Sequence, residues 1–196
     1  MANYHLIGRE KEIAELERLL RSEKSEFLAI YGRRRVGKSY LIQEVYGSQM
    51  AFSTVGVYFR KNKRSALSYR KEQLLHFYES LLQYGLSFQI PPPTSWREAF
   101  RLLRTVLERD SRARKVVFLD ELPWLAGAQS SELIAELSFF WNSWACRQRN
   151  IILVVCGSAT SWMLNNVIRD YGGLYSRLTL KIQLHPFSLG ECEQYY

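Results

Sequence analysis

Residues 27–39 constrain the chain more than any other stretch. Phe27-Leu28-Ala29-Ile30-Tyr31 is an unbroken apolar run, and it enters Gly32-Arg33-Arg34-Arg35-Val36-Gly37-Lys38-Ser39, which has the spacing G-x-x-x-x-G-K-S. A polyphosphate needs a turn of backbone N–H groups, a lysine reaching over it and a hydroxyl able to ligate Mg²⁺. The stretch supplies all three in that order. It then runs into Tyr40-Leu41-Ile42-Gln43-Glu44-Val45-Tyr46, where Leu41, Ile42 and Val45 share a helical face. The loop is therefore expected at a helix N-terminus, where anions are stabilised. A basic surface turn matching the pattern by accident would lack the flanking strand and helix. The continuous apolar strand also points to a parallel sheet covered on both faces.

The rest of the chain alternates in the same way. Ile13, Leu16, Leu19 and Leu20 form the face of an amphipathic helix behind Gly8, and a polar loop over 21–26 leads to the strand. A second strand is expected over 54–59. The following run carries Arg60, Lys61, Lys63, Arg64, Arg70 and Lys71 without an acid. It reads as a solvated loop and helix start, or as a phosphate-contacting patch with Tyr58 and Tyr69 able to stack on a base. A helix over 71–83 would bury Leu74, Leu75, Tyr78, Leu81 and Leu82, leaving His76 as a surface or interface residue without ligand spacing around it. Pro91-Pro92-Pro93 is a rigid loop within the domain. Ser95 and Glu98 match a capping box for a helix to about Arg109, with Trp96, Phe100, Leu103 and Leu107 on its apolar face.

Val116-Val117-Phe118-Leu119 is a buried strand that ends in Asp120-Glu121. Two carboxylates at the mouth of an apolar strand are costly unless cations, protons or hydrogen bonds compensate them. Beside a phosphate loop, Asp120 can hold Mg²⁺ and Glu121 can orient and deprotonate an attacking water. In isolation the pair would read equally well as helix-capping acids ahead of Leu122-Pro123. A helix from Ser130 to about Cys146 with a heavy aromatic face follows. Ile151–Cys156 is the most hydrophobic strand and the candidate for the sheet centre. Gly157-Ser158 at its end offers a hydroxyl for a phosphate or a water, although serines there also serve turns and N-caps. A short helix follows from Trp162, and Leu180–Leu184 is the last strand.

The formal net charge is +8, which favours association with nucleic acid, anionic surfaces or nucleotides without specifying a fold. Three cysteines with neither metal-site nor disulfide-framework spacing suggest a reducing, cytoplasmic setting. No apolar run reaches membrane-spanning length. At 196 residues the chain is expected to be one domain, 1–196, and its last residues have the character of a helix start, as in a fragment of a longer protein. Four or five strands alternating with helices predict a three-layer α/β domain with a largely parallel sheet. Its ligands would collect beyond the strand C-termini.

Several pieces together carry a resemblance. They are Ile7-Gly8-Arg9-Glu10 ahead of a helix, Tyr31–Ser39, Phe118–Leu125, Cys156-Gly157-Ser158, and Leu174–Arg177 leading to His185-Pro186-Phe187-Ser188. The chain resembles the archaeal and bacterial ATPase family related to AAA+ origin-recognition and signalling ATPases, over essentially its whole length. The resemblance implies a P-loop NTPase domain with a five-stranded sheet in the order 5-1-4-3-2, binding ATP with Mg²⁺. It places Ile7, Gly8 and Arg9 by the adenine, and wraps Gly32, Arg33, Arg34, Arg35, Val36, Gly37, Lys38, Ser39 and Tyr40 around the triphosphate. Ser39 and Asp120 become the metal-site residues, Lys38 and Glu121 catalytic residues, Ser158 a sensor, and Arg177 an arginine finger acting across a subunit interface. A helical lid and a C-terminal domain, usual in the family, would lie outside the chain. Three functions follow: ATP hydrolysis driving conformational work, a nucleotide-gated switch with negligible turnover, and a nucleic-acid-binding module. The expected partners are ATP and ADP, a second copy through the nucleotide face, nucleic acid, and a protein partner not identifiable from sequence.

Overall fold

In the computed structural model, residues 6, 8–58, 66–127, 130–168 and 174–193 are described. The elements run α1 (Glu10–Leu20), β1 (Glu26–Tyr31), α2 (Lys38–Tyr46), β2 (Met50–Val55), α3 (Ala66–Gln83), α4 (Trp96–Arg109), β3 (Lys115–Asp120), α5 (Leu122–Ala126), α6 (Ser130–Ser143), β4 (Ile151–Gly157), α7 (Thr160–Met163), β5 (Leu180–Gln183) and α8 (Leu189–Glu193). The five strands form one sheet in the order β2-β3-β4-β1-β5, with every pairing parallel. This is the expected 5-1-4-3-2 order read from the other edge. β4, the most hydrophobic strand, lies at the centre.

Alternation along the strands explains the three layers. Leu28, Ile30, Val116, Phe118, Ile152 and Val154 face one side, where Leu16 and Leu19 of α1 and Leu41, Ile42, Val45 and Tyr46 of α2 cover them. Phe27, Phe52, Val117 and Leu153 face the other side, covered by α3, α4 and α6 through residues such as Phe77, Trp96, Phe100 and Phe140. Trp96 meets the edge of Phe77 at 5.6 Å, and Phe100 stacks on Phe140 at 5.4 Å. These aromatics bury large apolar areas and favour tilted or offset arrangements of this kind. The Ser95 hydroxyl accepts from the Glu98 N–H, whereas the Glu98 carboxylate takes the Thr94 N–H and hydroxyl rather than the Ser95 N–H.

Three elements depart from the sequence expectation by three residues or more. The second strand is Met50–Val55, not 54–59, because Met50, Ala51 and Phe52 supply its buried residues and Gly56 ends it; Phe59 lies outside the described residues. α3 begins at Ala66, five residues before the expected Lys71, and its buried stripe is Leu74, Phe77, Tyr78 and Leu81. Leu75 is instead exposed, on the side that forms a groove with Leu67, Pro92 and Pro93. α6 stops at Ser143, and the path to Cys146 is completed by a 3₁₀ turn over Ala145–Arg147. His76 sits near the surface beside Glu79. All three cysteines are free thiols. No helix among the described residues is long and apolar enough to cross a membrane.

Candidate functional site

The C-terminal ends of β1, β3 and β4 meet at one edge of the sheet. Register places Tyr31 beside Gly157, and Gln183 of β5 on the other flank of Tyr31. The chain leaves β5 so close to the loop that the Leu184 N–H donates to the Tyr31 carbonyl at 2.8 Å. A Cβ on Gly32 would lie 2.2 Å from the Leu184 carbonyl oxygen, so only glycine fits the first loop position. Gly37 ends the loop with φ 89 and caps α2, whose first residues are Lys38 and Ser39. The functional side chains therefore stand at a helix N-terminus whose amides face an anion-sized space.

Lys38 is buried, and its ammonium donates to the Gly32 carbonyl at 3.1 Å and the Arg33 carbonyl at 2.8 Å. An ammonium has three protons. Two are thus fixed across the loop and one remains for an anion within it. The Ser39 hydroxyl donates to Asp120 Oδ2 at 2.6 Å, while Asp120 Oδ1 accepts the Glu121 N–H at 2.8 Å. A hydroxyl and a carboxylate side by side are hard oxygen donors suited to Mg²⁺, which takes one or two protein ligands and completes its shell with phosphate oxygens and water. Among the described residues no group of three or more His, Cys, Asp or Glu is arranged to hold a metal alone. The Cys156 thiol lies buried against Asp120; burial pushes its pKa well up, and the Asp120 charge adds to the shift.

Glu121 is held in a left-handed conformation, φ 47 and ψ 50, which is costly for a residue with a side chain. Hydrogen bonds at both ends of the residue fix it. Its carbonyl accepts the Trp124 N–H at 2.8 Å and starts α5, and its Oε2 accepts the Ser158 hydroxyl at 2.9 Å and the Ser158 N–H at 3.3 Å. The structure thus brings Lys38, Ser39, Asp120, Glu121 and Ser158 together. A cleft of about 550 Å³ lies over them, lined by Arg34, Arg35, Gly37, Lys38, Ser39, Tyr40 and Glu121.

The remaining expected site residues divide. Arg33, Arg34, Arg35 and Tyr40 are exposed around the loop, Arg35 with φ 65, and Arg34 stacks on Trp124 with its guanidinium carbon 4.9 Å from the ring centre. Ile7 lies outside the described residues. Gly8 and Arg9 are both left-handed, with φ 69 and 66. Arg9 is buried, and its guanidinium donates to the His185 carbonyl at 2.7 Å and the Val36 carbonyl at 3.4 Å, stacking 4.3 Å from the Phe187 ring centre. Its N–H reaches Glu191 Oε1 at 3.3 Å. Arg9 therefore ties residues 8–9 to the phosphate loop and to the segment beyond β5. Arg177 is exposed on the 3₁₀ turn Tyr175–Arg177 and is not among the side chains lining the cleft. Arg60, Lys61, Lys63 and Arg64 of the basic run lie outside the described residues, while the Tyr69 hydroxyl is occupied by the Trp124 and Val57 carbonyls.

Sequence reasoning missed Gly56, Trp124 and Cys156. A Cβ on Gly56 would lie 2.4 Å from the Leu125 nitrogen and 2.5 Å from the Glu121 oxygen, so this glycine lets the turn carrying Glu121 rest on the end of β2. A glycine within an apolar run is a general sign of close backbone approach; nothing local identified what approaches.

The fold agrees with the comparisons. The model of a family described as an ATPase domain predominantly from Archaea matches residues 6–192. An uncharacterised protein of Methanocaldococcus jannaschii is 24% identical over 194 residues, covering 97% of this chain and 38% of that protein. Among solved structures, a Walker-type ATPase of Pyrococcus abyssi superposes with a TM-score of 0.63 at 22% identity, covering 95% of this chain and 55% of that one. Drosophila ORC bound to DNA gives a TM-score of 0.58 at 15% identity, covering 99% of this chain and 46% of that one. The ORC2 protein of Aeropyrum pernix, in ADPNP and ADP complexes, gives 0.56 at 17% identity, covering 94% and 50%. At these identities the likeness to solved structures establishes the fold, and the chain spans about half the length of those structures or less than half that of the curated relative.

Proposed function

The chain belongs to the family of ATPase domains found predominantly in Archaea, and from that membership we propose that it binds ATP with Mg²⁺ and hydrolyses it, coupling the reaction to a change of conformation. The observation that carries this reading is the contact of Ser39 with Asp120 at 2.6 Å directly beside the buried Lys38. Ser39 and Asp120 would hold Mg²⁺, which supplies charge neutralisation to the phosphate oxygens. The amides of 32–39 orient the triphosphate, and the third Lys38 proton offsets charge on its oxygens. Glu121 positions a water for in-line attack and accepts its proton; Ser158 sets the direction of the Glu121 carboxylate. Gly8 and Arg9, with Ile7, would border the adenine, and Tyr40 the open side of the cleft.

Turnover by this chain alone is expected to be slow. An arginine supplied by a neighbouring subunit can be worth about 10³–10⁵ in rate for this chemistry, and the exposed Arg177 is the candidate to act in a second copy's site through self-association at the nucleotide face. A second reading, a nucleotide-gated switch with negligible turnover, is favoured by the two hydrogen bonds that Glu121 Oε2 accepts from Ser158. A nucleic-acid partner is motivated by the +8 charge and by the DNA in the structure of Drosophila ORC. Nucleotide binding is tested by titrating Mg²⁺ and ATP into the parent and Lys38→Ala in a calorimeter. The parent should bind and the variant should lose affinity by at least about tenfold, the scale of one charge-assisted hydrogen bond; equal affinity, or no binding by the parent, would overturn the assignment.

A further inference from the structure

The surroundings of the three loop arginines differ. Arg33 and Arg35 are exposed and, among the described residues, have no ring stacked against them, Arg33 contributing only its carbonyl to Lys38. Arg34 lies on Trp124 and lines the same cleft as Lys38, Ser39 and Glu121. Its guanidinium has no hydrogen-bond or ion-pair partner among the described residues, so its donors are all available. Trp124 itself is fixed. Its N–H donates to the Glu121 carbonyl at 2.8 Å, its carbonyl accepts the Tyr69 hydroxyl at 2.6 Å, and Tyr58 packs on it at 5.5 Å between ring centres.

A guanidinium stacked at an exposed site is weakly held compared with one paired to a phosphate through charge-assisted hydrogen bonds. Its planar fork matches phosphate oxygens, which a lysine in its place would meet only as a point charge. Like charges on Arg33 and Arg35 further favour an anion beside Arg34. We propose that Arg34 reads the terminal phosphate of a nucleotide bound to its own chain, exchanging its seat on Trp124 for that phosphate, so that Trp124 reports the difference between ATP and ADP to the turn carrying Glu121. This deepens the nucleotide-binding reading and rests on it.

The test measures affinities for Mg²⁺-ATP and Mg²⁺-ADP, together with tryptophan emission, in the parent, Arg34→Ala, Arg34→Lys, Arg33→Ala and Trp124→Phe. Trp124→Phe identifies the emission of Trp124 among the five tryptophans. Arg34→Ala should weaken ATP binding about ten- to a hundredfold and leave ADP binding nearly unchanged, with Arg34→Lys restoring only part of the loss. Arg33→Ala should leave the ATP-to-ADP ratio as it is in the parent. ATP, and not ADP, should change the Trp124 emission, and Arg34→Ala should abolish that response. Equal weakening of ATP and ADP by Arg34→Ala, an equal change of the ratio in Arg33→Ala, or an ATP-specific emission change that survives Arg34→Ala would overturn the proposal while leaving the nucleotide site standing. Absence of binding by the parent would remove both.

Discussion

Gly56→Ala separates the position of Glu121 from the rest of the site. The new Cβ would stand 2.4 Å from the Leu125 nitrogen and 2.5 Å from the Glu121 carbonyl oxygen, against an ordinary contact beginning at 3.4 Å. Both obstacles are backbone, so no flexible side chain can yield. The turn at 121–125 must therefore retreat by about 1 Å, or β2 must, straining the Gly56 N–H bond to the Asp120 carbonyl, now 2.9 Å. Overpacking of this kind costs about 1–3 kcal/mol, which for a domain of this size lowers Tm by about 2–12 °C. A misplacement of about 1 Å at a catalytic group can reduce turnover about a hundredfold. Phosphate release under saturating ATP should fall by that factor, while ATP affinity, carried by the loop and Lys38, should change little. Gly47→Ala is the control: Gly47 has helical φ and ψ of −52 and −42 and nothing within 4 Å of an added Cβ. Its substitution should be neutral or stabilising by about 0.4–1 kcal/mol. Parental Tm and turnover in Gly56→Ala would refute the argument that this close approach sets the position of Glu121.

The Arg9 staple predicts a loss of about 2–4 kcal/mol in Arg9→Ala, from charge-assisted bonds to two carbonyls and the stack on Phe187; urea unfolding would show it, Arg9→Lys should recover only part, and an unchanged midpoint would contradict it. Glu191 supplies a pH dependence. The Ser188 N–H and hydroxyl, with smaller help from Arg9, hold its carboxyl below the ordinary value of 4.5. A group with a depressed folded pKa contributes stability above its unfolded value and loses it as pH falls through the folded one. The stability difference between the parent and Glu191→Gln should therefore be present at pH 7 and shrink below about pH 4.5; a difference that grows in acid would refute the assignment.

The parts of the site that were legible in the sequence are those whose chemistry demands local spacing. Gly32 to Ser39 must follow one another because a single turn wraps an anion, and Asp120-Glu121 must end a strand because the sheet edge is where ligands collect. The apolar density of 151–156 marked the central strand for the same reason, since only a strand covered on both faces tolerates it. Tertiary partners were not legible. Arg9 and His185 are 176 residues apart, and nothing near Arg9 reveals that a carbonyl beyond β5 will receive its guanidinium. Phe77 completes the i, i+3, i+4, i+7 stripe of Leu74, Tyr78 and Leu81 and packs against Phe52, Trp96 and Phe100, whereas Leu75 belongs to an adjoining stripe that period alone also allows. Gly56 was visible as a glycine but not as the seat of the Glu121 turn.

If Glu121 performs chemistry on a nucleotide held by Lys38, Ser39 and Asp120, hydrolysis depends on its carboxylate. Single-turnover release of phosphate from Mg²⁺-ATP, with protein in excess and parent and Glu121→Gln at matched occupancy, tests it most directly. Release by the parent at a rate at least about a hundredfold above Glu121→Gln, the order of a positioned general base, with ATP affinity retained in the variant, is the expected result. Equal release from parent and variant, each fully loaded with ATP, would contradict it and leave the site as a nucleotide-gated switch.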